Sequence, residues 1–171
     1  GLTKLTVVAP NGKTVVDFNA SDAATLGMRK FMFESPEPQD VASLKAAYPE
    51  GEYAFSGVTF SGAALPGRAT LHPALPPTAT FVRPMPESKD VRVRGLSLAW
   101  TPVAGVDGYI VGIEQKELGL NVTAKLPATA STFVVPEGFL TPNTEYVMEL
   151  GTVMKDGNAS FVETTFRTGA R

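Results

Sequence analysis

The stretch Leu140-Thr141-Pro142-Asn143-Thr144-Glu145-Tyr146 decides the fold prediction for this chain. A turn-forming Pro-Asn pair stands just before a tyrosine that opens a run of β-prone residues. Trp100 lies upstream, in a segment where Leu96, Leu98 and Trp100 alternate with small or polar residues. Because alternation places every second side chain on one face of a strand, both rings are expected to point inward. This pattern predicts a β-sandwich.

Strands follow one another at short intervals through the second half of the sequence. Asp156-Gly157 forms a tight hairpin signal between the last two of them, and Gly105-Val106-Asp107-Gly108 marks an earlier turn. Short strands separated by frequent turns are typical of all-β sandwiches. The predicted strands are residues 79–82, 96–100, 109–113, 121–126, 132–135, 145–154 and 160–167, which makes a seven-stranded sandwich.

Four motifs carry a family resemblance: Trp100 with its Leu-Ser-Leu-Ala lead, Pro102-Val103-x-Gly105, Gly108-Tyr109-Ile110-Val111, and Leu140-x-Pro142-x-Thr144-x-Tyr146. Together they resemble the fibronectin type III family over residues 76–169. The resemblance implies that Trp100 fills the core and that the Tyr146 hydroxyl bonds backbone of the preceding crossover. This resemblance is specific for the fold and gives almost no information about function. Integrin binding through an Arg-Gly-Asp loop is not implied, because Leu96 follows Arg94-Gly95.

The first half of the sequence predicts a small β-rich module. Asn11-Gly12 between two β-prone runs, 5–8 and 14–18, is a strong hairpin signal. Further strands are expected at 28–34, 49–60 and 67–72. The strand pair Glu-Gly-x-Tyr-x-Phe-x-Gly and Ala-Thr-Leu-x-His resembles a recurring pattern of bacterial secreted proteins, but residues 1–75 resemble no named family.

One short helix is predicted over residues 40–48. Val41, Leu44 and Tyr48 have helical spacing behind Asp40, a favourable N-cap, and Pro49 ends the segment. The aromatic residues Tyr48, Tyr53, Phe55 and Phe60 are expected to form core beneath this helix.

Prolines mark the expected junction between two domains, residues 1–75 and 76–171. They crowd the chain at Pro73, Pro76, Pro77, Pro84 and Pro86, as in a stiff connection that leads into an edge strand. The boundary is therefore placed near residue 76.

Composition excludes several classes of function. The 15 basic and 17 acidic side chains are interspersed and give a net charge of −2, which argues against nucleic-acid binding. Cysteine is absent and His72 is the single histidine, so thiolate chemistry and multi-histidine metal sites are excluded. Apolar runs are too short to span a bilayer, so no membrane insertion is expected. A removed signal peptide or anchor stays open.

No catalytic, cofactor-binding or metal-binding residue is predicted. His72 is expected at a strand end, half buried, rather than as the base of a catalytic triad. Glu50 and Glu52 are expected to be solvated charges rather than a glycosidase pair. The segment 17–22 begins like a calcium loop, but Asp22 replaces the required glycine and Met28 the distant acid, so an Asx turn or helix cap explains it better.

These observations predict a protein that is not an enzyme and needs no cofactor. The favoured hypothesis is a secreted, periplasmic or cell-surface module that binds a protein or a glycan, or acts as a spacer. The alternative is a structural accessory segment of a larger envelope assembly or secreted enzyme. A small hydrolase that uses carboxylates alone is the weakest possibility.

Overall fold

The computed structural model describes residues 1–20, 27–32 and 40–170, apart from the side chain of Val41. The chain divides into two compact units, Gly1–Pro73 and Ala74–Arg171. Across the described residues the structure is mainly β, with three sheets and one short α-helix. The predicted fold class is thereby confirmed.

The first unit contains one antiparallel sheet with the strand order β2-β1-β3-β4. Its strands are β1 (Leu2–Val8), β2 (Thr14–Asn19), β3 (Gly51–Thr59) and β4 (Ala64–Leu71). Strand β4 lies at an edge and contains Pro66 opposite Ser56 of β3. Proline has no N–H to donate, so an edge strand is where it fits, with its nitrogen turned away from the neighbour.

The predicted Asn-Gly hairpin joins β1 to β2. The Gly12 N–H donates to the Ala9 carbonyl at 2.9 Å, and the Ala9 N–H donates to the Lys13 carbonyl at 2.8 Å. Gly12 has a φ of 81°, a conformation that side chains rarely adopt. This is a tight turn followed by one left-handed residue, a common hairpin connection.

A small apolar core lies on one face of this sheet. Leu5, Val7 and Ala9 are buried at alternate positions, together with Tyr53 of β3, whose hydroxyl donates to the Pro49 carbonyl at 2.9 Å. The expectation that the module's aromatic residues all form core is wrong for Phe60, which is 69% exposed at the turn after β3, and for Tyr48, which is 36% exposed. Alternation within a strand could not place Phe60, because it stands beyond the strand's end.

Helix α1 (Val41–Ala47) begins as predicted at Asp40. The Asp40 Oδ1 atom accepts hydrogen bonds from the backbone N–H groups of Ala42 and Ser43, both at 3.1 Å. A further hydrogen bond from the Ser43 hydroxyl helps to lower the pKa of Asp40. The side chains of residues 42–46 are exposed, so the expected burial of the aromatic rings beneath this helix is wrong.

The strand predicted over residues 28–34 is reduced to a single bridge. Leu2 and Met28 exchange two backbone hydrogen bonds of 2.8 Å, whereas residues 29–32 belong to no strand. Phe33 and Glu34 lie outside the described residues.

The second unit contains two sheets with the strand orders β10-β7-β5 and β6-β12-β11-β8-β9. Its strands are β5 (Phe81–Arg83), β6 (Ser88–Val91), β7 (Ser97–Trp100), β8 (Gly108–Gln115), β9 (Leu120–Pro127), β10 (Thr132–Val134), β11 (Glu145–Val153) and β12 (Ala159–Thr168). This two-sheet arrangement confirms the fold that the fibronectin type III resemblance implies.

The first edge strand of the sandwich is divided between the two sheets. Strand β5 pairs antiparallel with β7, and β6 pairs parallel with β12 in the other sheet. Pro84 and Pro86 lie between the two segments and cannot donate to a ladder, so pairing stops after Arg83. Strand β6 was not predicted, and counting β5 and β6 as one divided strand restores the predicted seven.

Both diagnostic rings of the sequence lie between the sheets. Trp100 packs against Tyr109 with ring centroids 5.4 Å apart, and Tyr146 stacks on Phe166 at 5.5 Å. All four of these side chains are buried in one core cluster. Large aromatic side chains contribute much of the apolar area that a sandwich of this size buries.

The Tyr146 hydroxyl fixes the crossover before β11, as the resemblance implied. It accepts a hydrogen bond from the Thr141 N–H at 2.9 Å and lies 3.2 Å from the Thr141 hydroxyl. The Tyr109 hydroxyl fixes the turn after β7 in the same way, because it accepts a hydrogen bond from the Val103 N–H at 2.8 Å. This second hydrogen bond between a tyrosine hydroxyl and the backbone was not predicted from the sequence.

We expect Tyr146→Phe to lower the free energy of unfolding of the second unit by about 1–2 kcal/mol, because the Thr141 N–H loses its partner in a partly buried position. Urea denaturation followed by the fluorescence of Trp100, the single tryptophan, measures this unit alone. Tyr48→Phe is the matched control, since Tyr48 is exposed in the first unit. Equal midpoints for wild type and Tyr146→Phe would contradict the assignment.

Candidate functional site

The residues considered from sequence as chemical candidates lie on exposed parts of the first unit. His72 follows β4 with its side chain 48% exposed, and its Nδ1 atom lies 3.4 Å from Glu50 Oε1. Glu52 instead forms an ion pair with Arg68 on the neighbouring strand. The two carboxylates therefore have separate partners, which favours their interpretation as solvated charges.

The segment considered as a calcium loop is described only in part. Asp17 lies on β2 opposite Thr6 and is exposed. Ser21 and Asp22 lie outside the described residues. Among the residues that the structure describes, no group of three or more His, Asp or Glu side chains could hold a metal ion. In the same ranges, no helix has the length and apolar character needed to cross a membrane.

An apolar groove of about 450 Å³ opens at one end of the first unit. Its walls come from the start of β1, the segment after Gly27 and the start of β4, and they include Leu2, Met28, Phe31 and Leu65. Leu2 lies over Gly57 of β3, where an added Cβ would be 3.1 Å from a Leu2 methyl carbon. Arg29 and Lys30 add positive charge to the lining.

A second surface is the outer face of the five-stranded sheet, on the side away from the core. Strand register places Glu149 of β11 directly between Gly112 of β8 and Glu163 of β12. Residues directly opposite each other on an antiparallel pair have Cβ atoms about 4.5–5.5 Å apart. Two carboxylates thus stand side by side, and Glu114 occupies the next outward position on β8.

Glycines on both sides of Glu149 shape this outer face. A Cβ added to Gly112 would lie 3.3 Å from Glu149 Oε2, so the carboxylate lies low over the bare backbone of β8. A Cβ added to Gly151 would lie 2.4 Å from the ring of Phe161, which therefore covers that glycine. The Phe161 ring is 46% exposed. We call Glu114, Glu149, Glu163 and Phe161 the acidic face.

Burial raises the pKa of Glu149, and the negative charges of Glu163 and Glu114 raise it further. Glu163 has a distant counterion, with Lys116 Nζ 3.7 Å from its Oε1 atom. Among the described residues no ion pair reaches Glu149 itself. The carboxylate of Glu149 is consequently the least favourably placed charge on this face.

We expect Glu149→Gln to stabilise the second unit at pH 7 and to have little effect near pH 3. Because the folded-state pKa of Glu149 is raised, the folded state holds this proton more tightly than the unfolded state does. The stability contributed by the protonated form is present below the unfolded pKa and is lost as the pH rises through the folded pKa. The expected gain at pH 7 is under about 1 kcal/mol, since partly exposed charges are screened.

Thermal unfolding at both pH values measures the effect of this change. Glu145→Gln is the control on the same strand, because Glu145 stands directly opposite Arg167 and loses an attraction instead of a repulsion. A Glu149→Gln variant that is less stable than wild type at pH 7 would contradict the proposed repulsion.

Sequence reasoning missed the acidic face. Glu114, Glu149 and Glu163 each lie in or beside a predicted strand, but the sequence gives no cross-strand register. The useful signal was a set of acids at outward positions of strands that were predicted to pair.

Comparison with solved structures returns fibronectin type III modules. The FN1–FN3 domains of chicken CNTN1 share 18% sequence identity, with 71% of this chain and 44% of that chain covered and a TM-score of 0.42. A two-domain fibronectin type III segment of chicken tenascin shares 15% identity over 96% of this chain and 83% of that chain, with a TM-score of 0.43. The chain thus spans less than half of the CNTN1 segment.

The fibronectin(III)-like modules of Clostridium thermocellum CbhA share 9% identity, with 98% of this chain and 78% of that chain covered and a TM-score of 0.45. No protein-family model matches the sequence, and no curated protein matches it. At these identities the likeness concerns the fold alone.

Proposed function

We propose that this chain is a non-catalytic binding module of a secreted, periplasmic or cell-surface protein, with a protein or a glycan as its partner. The observation that carries the proposal is the apolar end of the first unit. Leu65 lines the groove and is 51% exposed, and Phe60, which follows the lining residue Thr59, is 69% exposed. Clustered apolar exposure of this kind marks recognition surfaces more often than it serves the fold.

We further propose that the two compact units are separate domains with their boundary near residue 76. The division of the described chain between Pro73 and Ala74 supports this boundary.

Binding assays on the full chain test this function. Purified envelope or surface proteins and a glycan array serve as partners, and the double variant Phe60→Ser/Leu65→Ser removes the apolar surface. We expect a bound partner to lose roughly tenfold or more in affinity, because each of these side chains would bury substantial apolar area. Val134→Ser is the matched control, since Val134 is equally exposed but lies in the second unit.

Two results would count against the proposal. Binding that is unchanged in the double variant would remove the apolar end as the recognition surface. A chain that binds nothing across both panels would favour the alternative role, that of a spacer within a larger assembly.

A further inference from the structure

The apolar groove of the first unit continues the buried face of its sheet past the core cluster. Leu2 and Leu5 are three residues apart, so regular alternation would place them on opposite faces, yet both pack in that cluster. The register shift between Leu2 and Lys4 accounts for this, because an extra residue re-aims the side chains beyond it. Leu2 thereby covers Gly57, and Leu65 stands directly opposite that glycine on β4. The groove is therefore an exposed continuation of the sheet's apolar face.

Charged residues in the described segments around the groove are all basic. These segments, residues 1–4, 27–32 and 57–66, contain Lys4, Arg29 and Lys30 and no aspartate or glutamate. Arg29 and Lys30 line the groove itself, and both are exposed. Among the described residues, no ion pair reaches either of these two side chains. The apolar surface is thus bordered by cations that lack a counterion in this part of the chain.

The described acidic residues of the same sheet lie away from the groove. Asp17 stands opposite Thr6, which is roughly 13 Å along β1 from Leu2 at the usual rise of a strand. Glu52 lies near the other end of β3 and already pairs with Arg68. Exposed charges separated by more than about 10 Å are largely screened at ordinary salt concentrations. The electrostatic attraction at the groove is therefore toward an anion from outside the sheet.

We propose that the groove binds a short segment of a partner protein that combines apolar side chains with aspartate or glutamate. The proposal rests on the proposed function of the chain as a binding module, and it names the chemistry of the partner. Apolar side chains of the segment pack against Leu2, Met28 and Leu65, and its acidic groups pair with Arg29 and Lys30 at the rim.

The lining of the groove favours a protein segment over a glycan. Leu2, Met28, Phe31 and Leu65 offer apolar surface, on which the hydroxyl groups of a sugar would lose their hydrogen bonds to water. The volume of about 450 Å³ lies in the range of pockets that hold small ligands, so a short segment fills it. Charge complementarity then selects an acidic segment over a basic or uncharged one.

A matched peptide pair tests the proposal on the full chain. The probe carries leucines flanked by aspartates, and the control peptide carries asparagine in place of each aspartate. Methyl NMR shifts of Leu2, Met28 and Leu65 locate the binding site, and titration gives the affinity. We expect the aspartate peptide to bind roughly fivefold or more tightly than the asparagine peptide, with an advantage that shrinks as salt is added.

Charge variants separate the groove from other basic surfaces. Arg29→Gln/Lys30→Gln should reduce the advantage of the aspartate peptide to about twofold or less, because the cations at the rim are removed. Arg29 and Lys30 are exposed and belong to no strand, so this change should leave the fold intact. Arg92→Gln/Arg94→Gln is the charge-matched control, since both arginines are exposed in the second unit. Leu65→Ser should weaken both peptides alike, because it removes apolar contact and no charge.

Three results would overturn the proposal: equal affinity of wild type for the two peptides, methyl shifts confined to other residues, or an unchanged advantage of the aspartate peptide in Arg29→Gln/Lys30→Gln. A lipid surface is the competing occupant. Vesicles of phosphatidylglycerol and phosphatidylcholine that bind wild type and not Arg29→Gln/Lys30→Gln, together with no shift from the aspartate peptide, would replace the protein segment by an anionic membrane.

Failure of this inference is distinguishable from failure of the proposed function. A natural partner that binds wild type and Arg29→Gln/Lys30→Gln equally, yet is lost in Phe60→Ser/Leu65→Ser, would overturn the acidic segment while leaving the proposed function standing. A natural partner that tolerates both double variants would remove the groove from recognition altogether, and the inference would fall together with the proposed function.

Discussion

Trp100→Ala should lower the free energy of unfolding of the second unit by about 3–5 kcal/mol, the range for truncating large aromatic side chains in a core. Trp100 is 3% exposed and belongs to the larger core cluster. Removing the indole deletes its packing against Tyr109 and leaves a cavity between the two sheets. A loss of this size is a large part of the stability of an ordinary domain.

The effect of Trp100→Phe should be much smaller. The Trp100 Nε1 atom is buried and has no hydrogen-bond partner, so phenylalanine removes an unsatisfied donor together with part of the ring. An unsatisfied buried donor costs about 1–3 kcal/mol, which offsets part of the lost packing. The difference in unfolding free energy between Trp100→Ala and Trp100→Phe therefore separates the cost of lost side-chain volume from the effect of the unsatisfied indole N–H.

Circular dichroism and NMR measure these variants, because the fluorescence probe is lost with the indole. Val134→Ala is the control: Val134 lies on the neighbouring strand β10 but is exposed, and its truncation should change the unfolding free energy by less than about 0.5 kcal/mol. A melting curve for Trp100→Ala that matches wild type would show that the indole does not support the sandwich.

Much of the second unit could be predicted because its signals are local. Alternation from Leu96 to Trp100 gives the buried face of a strand, and the Asp156-Gly157 turn leads from β11 into β12. Strand β6 escaped prediction because its four residues, Ser88–Val91, are half or fully exposed and lack alternation. Parallel pairing with β12 comes from the distant end of the chain, which no local pattern shows.

The first unit was predicted less well, for a related reason. Its hairpin turns are encoded by glycines with positive φ, and the Asn11-Gly12 turn was found. The helical spacing of the apolar residues correctly located α1, but such spacing shows only which side chains lie on the same face of the helix. It does not say whether another element covers that face, and here the described helix side chains stay exposed.

The candidate surfaces depend on register and on exposure, and neither can be read from one sequence. Glu149 and Glu163 become neighbours only when β11 pairs with β12 in the observed register, since a slip by one residue would move one of them to the other face. Exposure of Phe161 depends likewise on the glycine opposite it.

The second large effect is expected for Thr168→Val, which keeps the shape of the side chain and removes its hydroxyl. Thr168 is 2% exposed near the end of β12. Its Oγ1 atom donates to the Thr141 carbonyl at 2.6 Å and accepts from the Thr144 N–H at 2.8 Å. One hydroxyl thus joins the last strand to the turn that precedes β11.

Loss of this hydroxyl leaves both backbone groups without the partner that it supplied. Both hydrogen bonds are partly buried, so the lower part of the range of about 1–3 kcal/mol for an unsatisfied polar group applies to each, and the expected loss in the free energy of unfolding is about 2–4 kcal/mol. The effect should exceed that of Tyr146→Phe, because the tyrosine hydroxyl makes one short backbone hydrogen bond, from the Thr141 N–H at 2.9 Å, and its bond to the Phe139 carbonyl is long at 3.4 Å.

A double-mutant cycle decides whether the two groups support one network. Thr168 and Tyr146 both contact Thr141, so the losses in Thr168→Val/Tyr146→Phe should not add, and an interaction energy of at least about 0.5 kcal/mol is expected. Thr165→Val is the control on the same strand, since Thr165 faces outward opposite Val147 and should change stability little. If Thr168→Val proves as stable as Thr165→Val, or if the two losses simply add, the turn before β11 is held by its own conformation and not by the Thr168 hydroxyl.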